Sequence, residues 1–169
     1  MAASPRLTNV VLLPEQIDLA RSELASLVEE SGADGALLLL RSGEIAVAHL
    51  ETTLTQVDAL GALIAANFAS AREIARLLGE SRFESQFQQG AGRQLITHAV
   101  GEGWILAVIF AQATALGMVR MLASRAAESL RPLYHQAHTR AGEASQAPTD
   151  PRFRAAAARA VDQLFGEHA

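Results

Sequence analysis

The side chains with the widest chemical repertoire in this sequence are its histidines, and their spacing does not build a reaction centre. His135 and His138 lie three residues apart and could supply half of a metal site, but no carboxylate at matching spacing completes it. His49 and His98 stand without a serine or an acid at the spacing of a hydrolase triad. We therefore predict surface roles for the paired histidines, no metal site and no nucleophilic active site.

The composition excludes several cofactor and nucleotide chemistries. The sequence has no cysteine, which rules out disulfides, thiolate catalysis and cysteine-ligated zinc. All 14 basic residues are arginine, so the lysines of phosphate-binding loops, Schiff bases and protein kinases are missing. The segment from Gly101 to Gly103 is too short and wrongly placed for a dinucleotide-binding loop. We predict that the protein needs no cofactor and is not itself an enzyme.

Charge and hydropathy limit the partners and the compartment. The net charge is −4 and no basic run is present, which argues against a nucleic-acid ligand. The first residues lack the charged start and long apolar core of a secretory signal. The longest uncharged run, residues 104–119, is shorter than a membrane span. The 50% of hydrophobic residues suffices for a packed core, and the absence of cysteine fits a reducing compartment, so the sequence predicts a cytoplasmic protein.

Residues 57–78 form the stretch around which the remaining elements are arranged. Their bulky residues recur at helical spacing, which predicts an amphipathic helix facing a core. The opposite flank has no charge between Asp58 and Arg72 and consists largely of alanine. The predicted inward stripe is Val57, Leu60, Ile64, Phe68, Ala71, Ala75 and Leu78, and the flank carries Ala59, Ala62, Ala65, Ala66 and Ala69.

A helix on a sheet normally carries charged or polar residues on its solvent side. We interpret the uncharged flank as a surface that receives another protein, because short side chains allow a partner to approach the helix backbone closely. The alternative is that alanine, the strongest helix former, simply fills an exposed helix.

Five strands are predicted around this helix. Residues 36–40 and 45–50 flank Ser42 and Gly43 as a hairpin, and residues 83–90, 93–100 and 104–110 follow as a meander. The first and fifth strands are apolar at every position, so both of their faces must be covered. These features predict an α+β fold with an antiparallel sheet of order 2-1-5-4-3 and helices on both faces.

Two further helices and a C-terminal extension complete the predicted domain organisation. The first helix begins at Pro14 and stops at Gly32, and the third runs from Ala115 to about Arg131, where Pro132 should kink or finish it. Residues 1–137 are assigned to one domain, residues 138–150 to a flexible linker and residues 151–169 to a helical tail. The tail would present a docking helix, or it would fold back onto the domain.

The succession of these elements resembles the Roadblock/dynein light-chain family. The resemblance rests on SGADGALLLLRSGEIAVAH, on the long helix through LLGESRF, and on WILAVIF followed by ALGMVRM, and together these motifs cover residues 10–135. Within the family the chain is most similar to bacterial regulators of small Ras-like GTPases. The most specific features of this similarity are LLGESRF and DQLF near the C-terminus. The resemblance implies a homodimer that joins its sheets through the third strands and sets its two long helices side by side.

The same resemblance implies a function for the long helix and for the tail. The switch regions of a Ras-like small GTPase would rest on the paired helices, and the tail would contact the GTPase elsewhere and affect nucleotide exchange. The implied partner-binding residues are Ala62, Ala65, Ala66, Ala69, Arg72 and Glu73, and those of the tail are Phe153, Val161, Leu164 and Phe165.

The expected function is therefore that of a non-catalytic, GTPase-activating dimer. The main alternative is a scaffold or adaptor dimer without effect on nucleotide turnover, and a small-molecule sensor is a more distant one. An activator could insert an arginine finger, and Arg72 and Arg76 lie one turn apart beside the alanine flank. The alternative is that they are solvated and pair with Glu73 or Glu80, and the resemblance also points away from a finger.

Overall fold

The computed structural model of the protein describes residues 12–146, with side chains described as far as Gly142. Within these residues three helices and five strands follow one another in the predicted order. Their bounds are α1 Pro14–Ser31, β1 Gly35–Leu40, β2 Ile45–Leu50, α2 Val57–Leu77, β3 Ser85–Gln89, β4 Arg93–Val100, β5 Trp104–Ala111 and α3 Leu116–Gln146.

The strands form one antiparallel sheet of order β2-β1-β5-β4-β3, which confirms the predicted topology. The two uniformly apolar strands, β1 and β5, lie side by side at its centre. Leu38 of β1 lies opposite Val47 on one side and Leu106 on the other. A central strand is covered on both faces, so alternating polar residues would be buried in the core. Neither β1 nor β5 shows such alternation.

Helices cover both faces of the sheet, in unequal number. α1 and α3 pack on one face, where Leu24, Leu106 and Phe110 belong to the larger core. α2 lies alone on the other face, over a smaller core that includes Leu37, Phe68 and Ile105. The outer side of α2 is therefore not covered by any other described element, whereas α1 and α3 also contact each other.

The first helix begins and ends where local chemistry requires it. Pro14 occupies the first helical position, and Gly32 ends the helix in the left-handed conformation with φ 66°. The buried Gln16 side chain accepts a hydrogen bond from the Leu13 N–H at 3.1 Å, which satisfies a donor at the start of the helix. Both predicted boundaries of this helix are confirmed.

The predicted end of the third helix at Arg131 was wrong. α3 continues through Pro132 to Gln146, so residues 138–146 of the predicted linker are helical. Tyr134 and Ala137, which follow the proline, are buried against the larger core, and this packing offsets the hydrogen bond that proline cannot donate. Residues 147–150 of the predicted linker and the tail, 151–169, lie outside the described residues.

Two glycines let the β1–β2 turn press directly against α2. A Cβ atom added to Gly61 would lie 2.5 Å from the carbonyl oxygen of Gly43. Gly43 itself has φ 91°, and a Cβ atom there would lie 2.6 Å from the Cα of Ala62. This backbone contact fixes the rotation of α2 about its own axis and decides which of its side chains face outward.

Burial of His98 in β4 links stability to pH. Its pKa is lowered from the usual 6.5, mainly because burial disfavours the charged ring; Arg120 lowers it further and Glu84 opposes the shift. Folding then favours the neutral ring, so this contribution to stability is present above pH 6.5 and is lost as the pH falls through the lowered value. We expect the unfolding free energy to drop as the pH falls below 6.5, and to drop less in His98→Gln.

Urea unfolding at several pH values measures this effect. His135→Gln is the control, because His135 is exposed on α3 and its replacement should leave the pH profile of the wild-type protein unchanged. An identical acid sensitivity in His98→Gln and wild type would contradict the assignment to His98.

Candidate functional site

The outer side of α2 is the most distinctive surface of the described chain. The helix buries Gly61, Ile64 and Phe68 against the sheet, and its opposite side faces away from the domain. Ala62, Ala66 and Ala69 are exposed there. No charged residue lies on the helix between Asp58 and Arg72. Exposed alanines extend along this side of the helix from Ala59 to Ala69.

Ala65 on α2 and Leu78 just past its end are placed differently from the prediction. Ala65, predicted on the outer flank, is only 6% exposed and packs in the smaller core, and Leu78, predicted inward, is 68% exposed. The buried stripe is rotated toward Gly61 and Ala65, because the β1–β2 turn contacts the helix at Gly61. The outward alanine surface is therefore narrower than the sequence predicts.

Three large apolar side chains on the outer side of α2 were not identified from the sequence. Leu63, Ile74 and Leu77 are 69%, 52% and 75% exposed. Helical spacing could have identified them. If Phe68 is taken as the centre of the buried stripe, these residues fall on the opposite side of the helix. Exposed leucine and isoleucine at the same side of one helix indicate a contact surface.

The edge strand β3 extends this surface. In the described sheet β3 pairs only with β4, so its outer edge has no partner strand. Asn67 of α2 accepts a hydrogen bond from the Gln88 Nε2 of β3 at 3.1 Å. Leu63 and Ile74 share the flank of α2 that carries Asn67. Leu63 and Ile74 thus lie on the side of α2 that faces the open sheet edge.

The two candidate arginines have different surroundings. Arg76 donates to Glu73 at 3.0 Å in an ion pair that is exposed on both sides and contributes little to stability. Arg72 is half-buried and lines a small cavity beside the helix. Among the described residues it donates no hydrogen bond and forms no ion pair. The predicted solvated pairing holds for Arg76 with Glu73, and Arg72 remains available to a ligand.

The paired histidines of α3 are surface side chains. His135 and His138 are both exposed on α3, with ring centroids 5.4 and 5.5 Å from that of Tyr134. Between residues 12 and 146 no cluster of three or more histidine, aspartate or glutamate side chains is arranged to hold a metal ion. In the same part of the chain, no helix has the length and apolar character needed to cross a membrane.

Comparison with known proteins agrees with this architecture. Residues 21–110 match the Roadblock/LC7 domain. No curated protein sequence gives a significant match. Among solved structures, one described as MglB with tetrameric arrangement is 31% identical, with 80% of this chain and 99% of that chain covered and a TM-score of 0.72.

Two further solved structures support the same relationship. The gliding protein MglB from Thermus thermophilus is 30% identical over 79% of this chain and 99% of its own, with a TM-score of 0.72. Myxococcus xanthus MglB is 28% identical over 70% of this chain and 96% of its own, with a TM-score of 0.67. The sequence match, the sheet order and these similarities agree, and the chain belongs to the Roadblock/LC7 domain family, in which it is similar to MglB proteins.

Proposed function

We propose that the protein is a non-catalytic, dimeric regulator that binds a Ras-like small GTPase and accelerates its GTP hydrolysis. The observation that carries the proposal is the outer side of α2, with exposed alanines beside exposed Leu63 and Leu77. Similarity to MglB proteins and the resemblance to bacterial regulators of small GTPases support it. The protein would act by positioning the groups of the GTPase and would supply no reacting group itself.

The dimer would form through the edge of β3 and the adjoining flank of α2. An open strand edge is a template for pairing with a second strand, and natural proteins usually protect such edges with charge or proline. The strand, SQFQQ, contains neither. Leu63 and Ile74 on the adjoining flank are exposed in the single chain and would be buried between two copies of α2. Removing this apolar surface from water would stabilise the dimer.

The GTPase would contact the alanine side of the paired helices. This proposed contact surface consists of Ala62, Ala66, Ala69, Arg72 and Glu73. Ala65 is buried beneath it, between the helix and the sheet. Short side chains leave the helix backbone accessible, so a switch loop can pack closely against it. The proposed tail contacts, Phe153, Val161, Leu164 and Phe165, belong to residues outside the described range.

The test is to mix the purified full chain with a Ras-like small GTPase loaded with GTP. We expect a complex of two chains with GTPase by light scattering after size-exclusion chromatography, and phosphate release that rises with regulator concentration to a plateau. Complex formation without faster phosphate release would identify a scaffold or adaptor. A monomer, or no complex with any small GTPase from the same genome, would contradict the proposal.

Arg72→Ala separates binding from catalysis. Because Arg72 belongs to the proposed contact surface but is not expected to enter the GTPase active site, we expect weaker binding and a largely unchanged turnover at saturation. Phosphate release measured across a regulator titration gives both quantities. A loss of about a thousandfold or more at saturation, the size expected of an arginine finger, would contradict this expectation.

A further inference from the structure

A small cavity adjoins the proposed contact surface on α2 and shares Ala69 and Arg72 with it. It has a volume of 80 Å³ and lies between the second half of α2, the end of β1 and the β4–β5 turn. Its apolar wall is formed by Phe68, Ala69 and Ile105. Its polar rim contains three arginines, Arg41, Arg72 and Arg82, and one carboxylate, Glu102.

Arg82 is held firmly at this rim. Its Nε donates to Glu84 at 3.0 Å, and its Nη1 contacts the Glu102 carboxylate and the Gly101 carbonyl oxygen. The hydrogen bond with Glu84 is the main reason that the Arg82 pKa is raised. The Arg82 side chain is only 22% exposed, so its guanidinium is fixed before any ligand arrives.

The other two arginines keep most of their donors available. Arg41 donates one hydrogen bond, from Nη1 to the backbone oxygen of Glu102 at 3.3 Å. Arg72 donates none within the described part of the chain. The three arginines face two carboxylates, those of Glu84 and Glu102, both of which pair with Arg82, so the group carries an excess of one positive charge.

The cavity therefore combines one excess positive charge, several free guanidinium donors and an apolar wall. A cavity needs about 10 to 15 Å³ by this measure to hold one water molecule, so 80 Å³ has room for a group of several heavy atoms. Charge-assisted hydrogen bonds from arginine to a carboxylate are stronger than neutral ones and set its orientation. They are also stronger beside the apolar wall than in open water.

From this geometry we infer that the cavity binds the carboxylate of an aspartate or glutamate side chain that a docked protein partner projects beside Ala69. The inference rests on the proposed function, because it names a recognition element of the surface that would receive the GTPase. A single carboxylate matches the single uncompensated charge. A phosphate dianion carries more charge and would face the Glu102 carboxylate at the rim.

The first experiment uses acetate as the probe and the full chain labelled with ¹⁵N. Arginine Nε–Hε resonances are followed by NMR while sodium acetate replaces sodium chloride at constant ionic strength. We expect saturable shifts for Arg72 and Arg41, and none for Arg21, which is exposed and paired with Asp18 at 3.1 Å. Arg72→Gln should weaken acetate binding by about tenfold or more, whereas Arg76→Gln should leave it unchanged.

Two outcomes of that experiment would overturn the inference. One is a set of linear shifts of equal size at Arg72 and Arg21, which indicates general ion screening. The other is saturable binding of inorganic phosphate at these arginines without binding of acetate. Neither outcome depends on a GTPase, so the cavity is tested apart from the proposed function.

The second experiment asks whether the partner uses the cavity. With a small GTPase that binds the wild-type chain, Arg72→Gln should lower the affinity about tenfold and Arg76→Gln should change it little. Equal affinity of Arg72→Gln and wild type would refute the docking role while the proposed function stands. Saturable acetate binding without binding of any GTPase would refute the proposed function and leave the carboxylate site intact.

Discussion

Replacing Ala66 and Ala69 together by arginine is expected to abolish binding of the small GTPase while the protein remains folded. Both alanines are exposed on the outer side of α2, and arginine is nearly as favourable in a helix as alanine. In the complex, two long cations would enter a surface built from short apolar side chains. An unpaired charge buried at such a contact costs about 3 to 5 kcal/mol, so we expect an affinity loss of about a hundredfold or more.

The measurement is the affinity by isothermal titration calorimetry, with circular dichroism and light scattering to monitor folding and oligomeric state. Ser22→Arg with Ser26→Arg is the matched control, because both serines are exposed one turn apart on α1 and the added charge is the same. The control should bind like wild type. Unchanged affinity of the Ala66 and Ala69 variant would exclude this surface from partner binding.

Ala65→Arg should behave differently from the exposed pair. Ala65 is 6% exposed and packs against the sheet in the smaller core, so arginine there must displace α2 or remain buried without a partner. We expect this single change to unfold the protein or to lower its thermal midpoint sharply. The contrast between neighbouring alanines distinguishes a contact surface from a core position on the same helix.

Gly101→Ala is expected to destabilise the fold by about 3 kcal/mol or more. Gly101 has φ 62°, a left-handed conformation that costs an L-residue about 1 to 2 kcal/mol. A Cβ atom at this position would also overlap the ring atoms Cδ1 and Cε1 of Tyr134. Tyr134 is buried and packs edge-on against Trp104 with ring centroids 5.4 Å apart, so it has little room to move.

Gly32→Ala is the matched control for this prediction. Gly32 has nearly the same φ, 66°, but an added Cβ atom would meet nothing within 4 Å. Its replacement should lower the free energy of unfolding only by the cost of the left-handed backbone conformation, about 1 to 2 kcal/mol. Urea unfolding of both variants isolates the clash with Tyr134 as the difference between them. Equal destabilisation would show that the β4–β5 turn shifts freely and that Tyr134 does not hold it.

The same turn matters for the cavity beside α2. Gly101 and Glu102 supply the carbonyl and carboxylate groups that contact Arg82. A shift of the turn in Gly101→Ala would release that contact, so the loss of stability and the loss of acetate binding should appear together. Gly32 precedes β1 and is not part of the β4–β5 turn. Gly32→Ala should therefore retain acetate binding.

Much of the fold follows from local patterns in the sequence. Pro14 and Gly32 mark the ends of α1, and the uninterrupted apolar residues of β1 and β5 identify the two central strands. Hairpin turns then fix the order of the remaining strands. These features are readable because each depends on residues that are close in sequence. The predicted boundaries of β2 and β4 agree with the structure to the residue.

The errors arise where distant residues decide the outcome. Pro132 is a strong local signal for a helix end, yet α3 continues because Tyr134 and Ala137 gain burial against other elements. Ala65 was assigned to the wrong side of α2 because the sequence pattern alone does not define the rotation of the helix, and Leu78 is exposed just past the end of the helix. That rotation depends on the contact between Gly43 and Gly61, which are 18 positions apart.

The sequence by itself therefore determined the elements, the order of the sheet and the presence of an uncharged apolar surface on α2. Only the tertiary structure decided which alanines form that surface, that Leu63, Ile74 and Leu77 extend it, and that three arginines from separate segments meet beside it. The physical reason is the range of the interactions involved. Helical and strand periodicity is set by neighbouring residues, whereas the exposure of a side chain and the charge around a cavity are set by contacts between elements far apart in the chain.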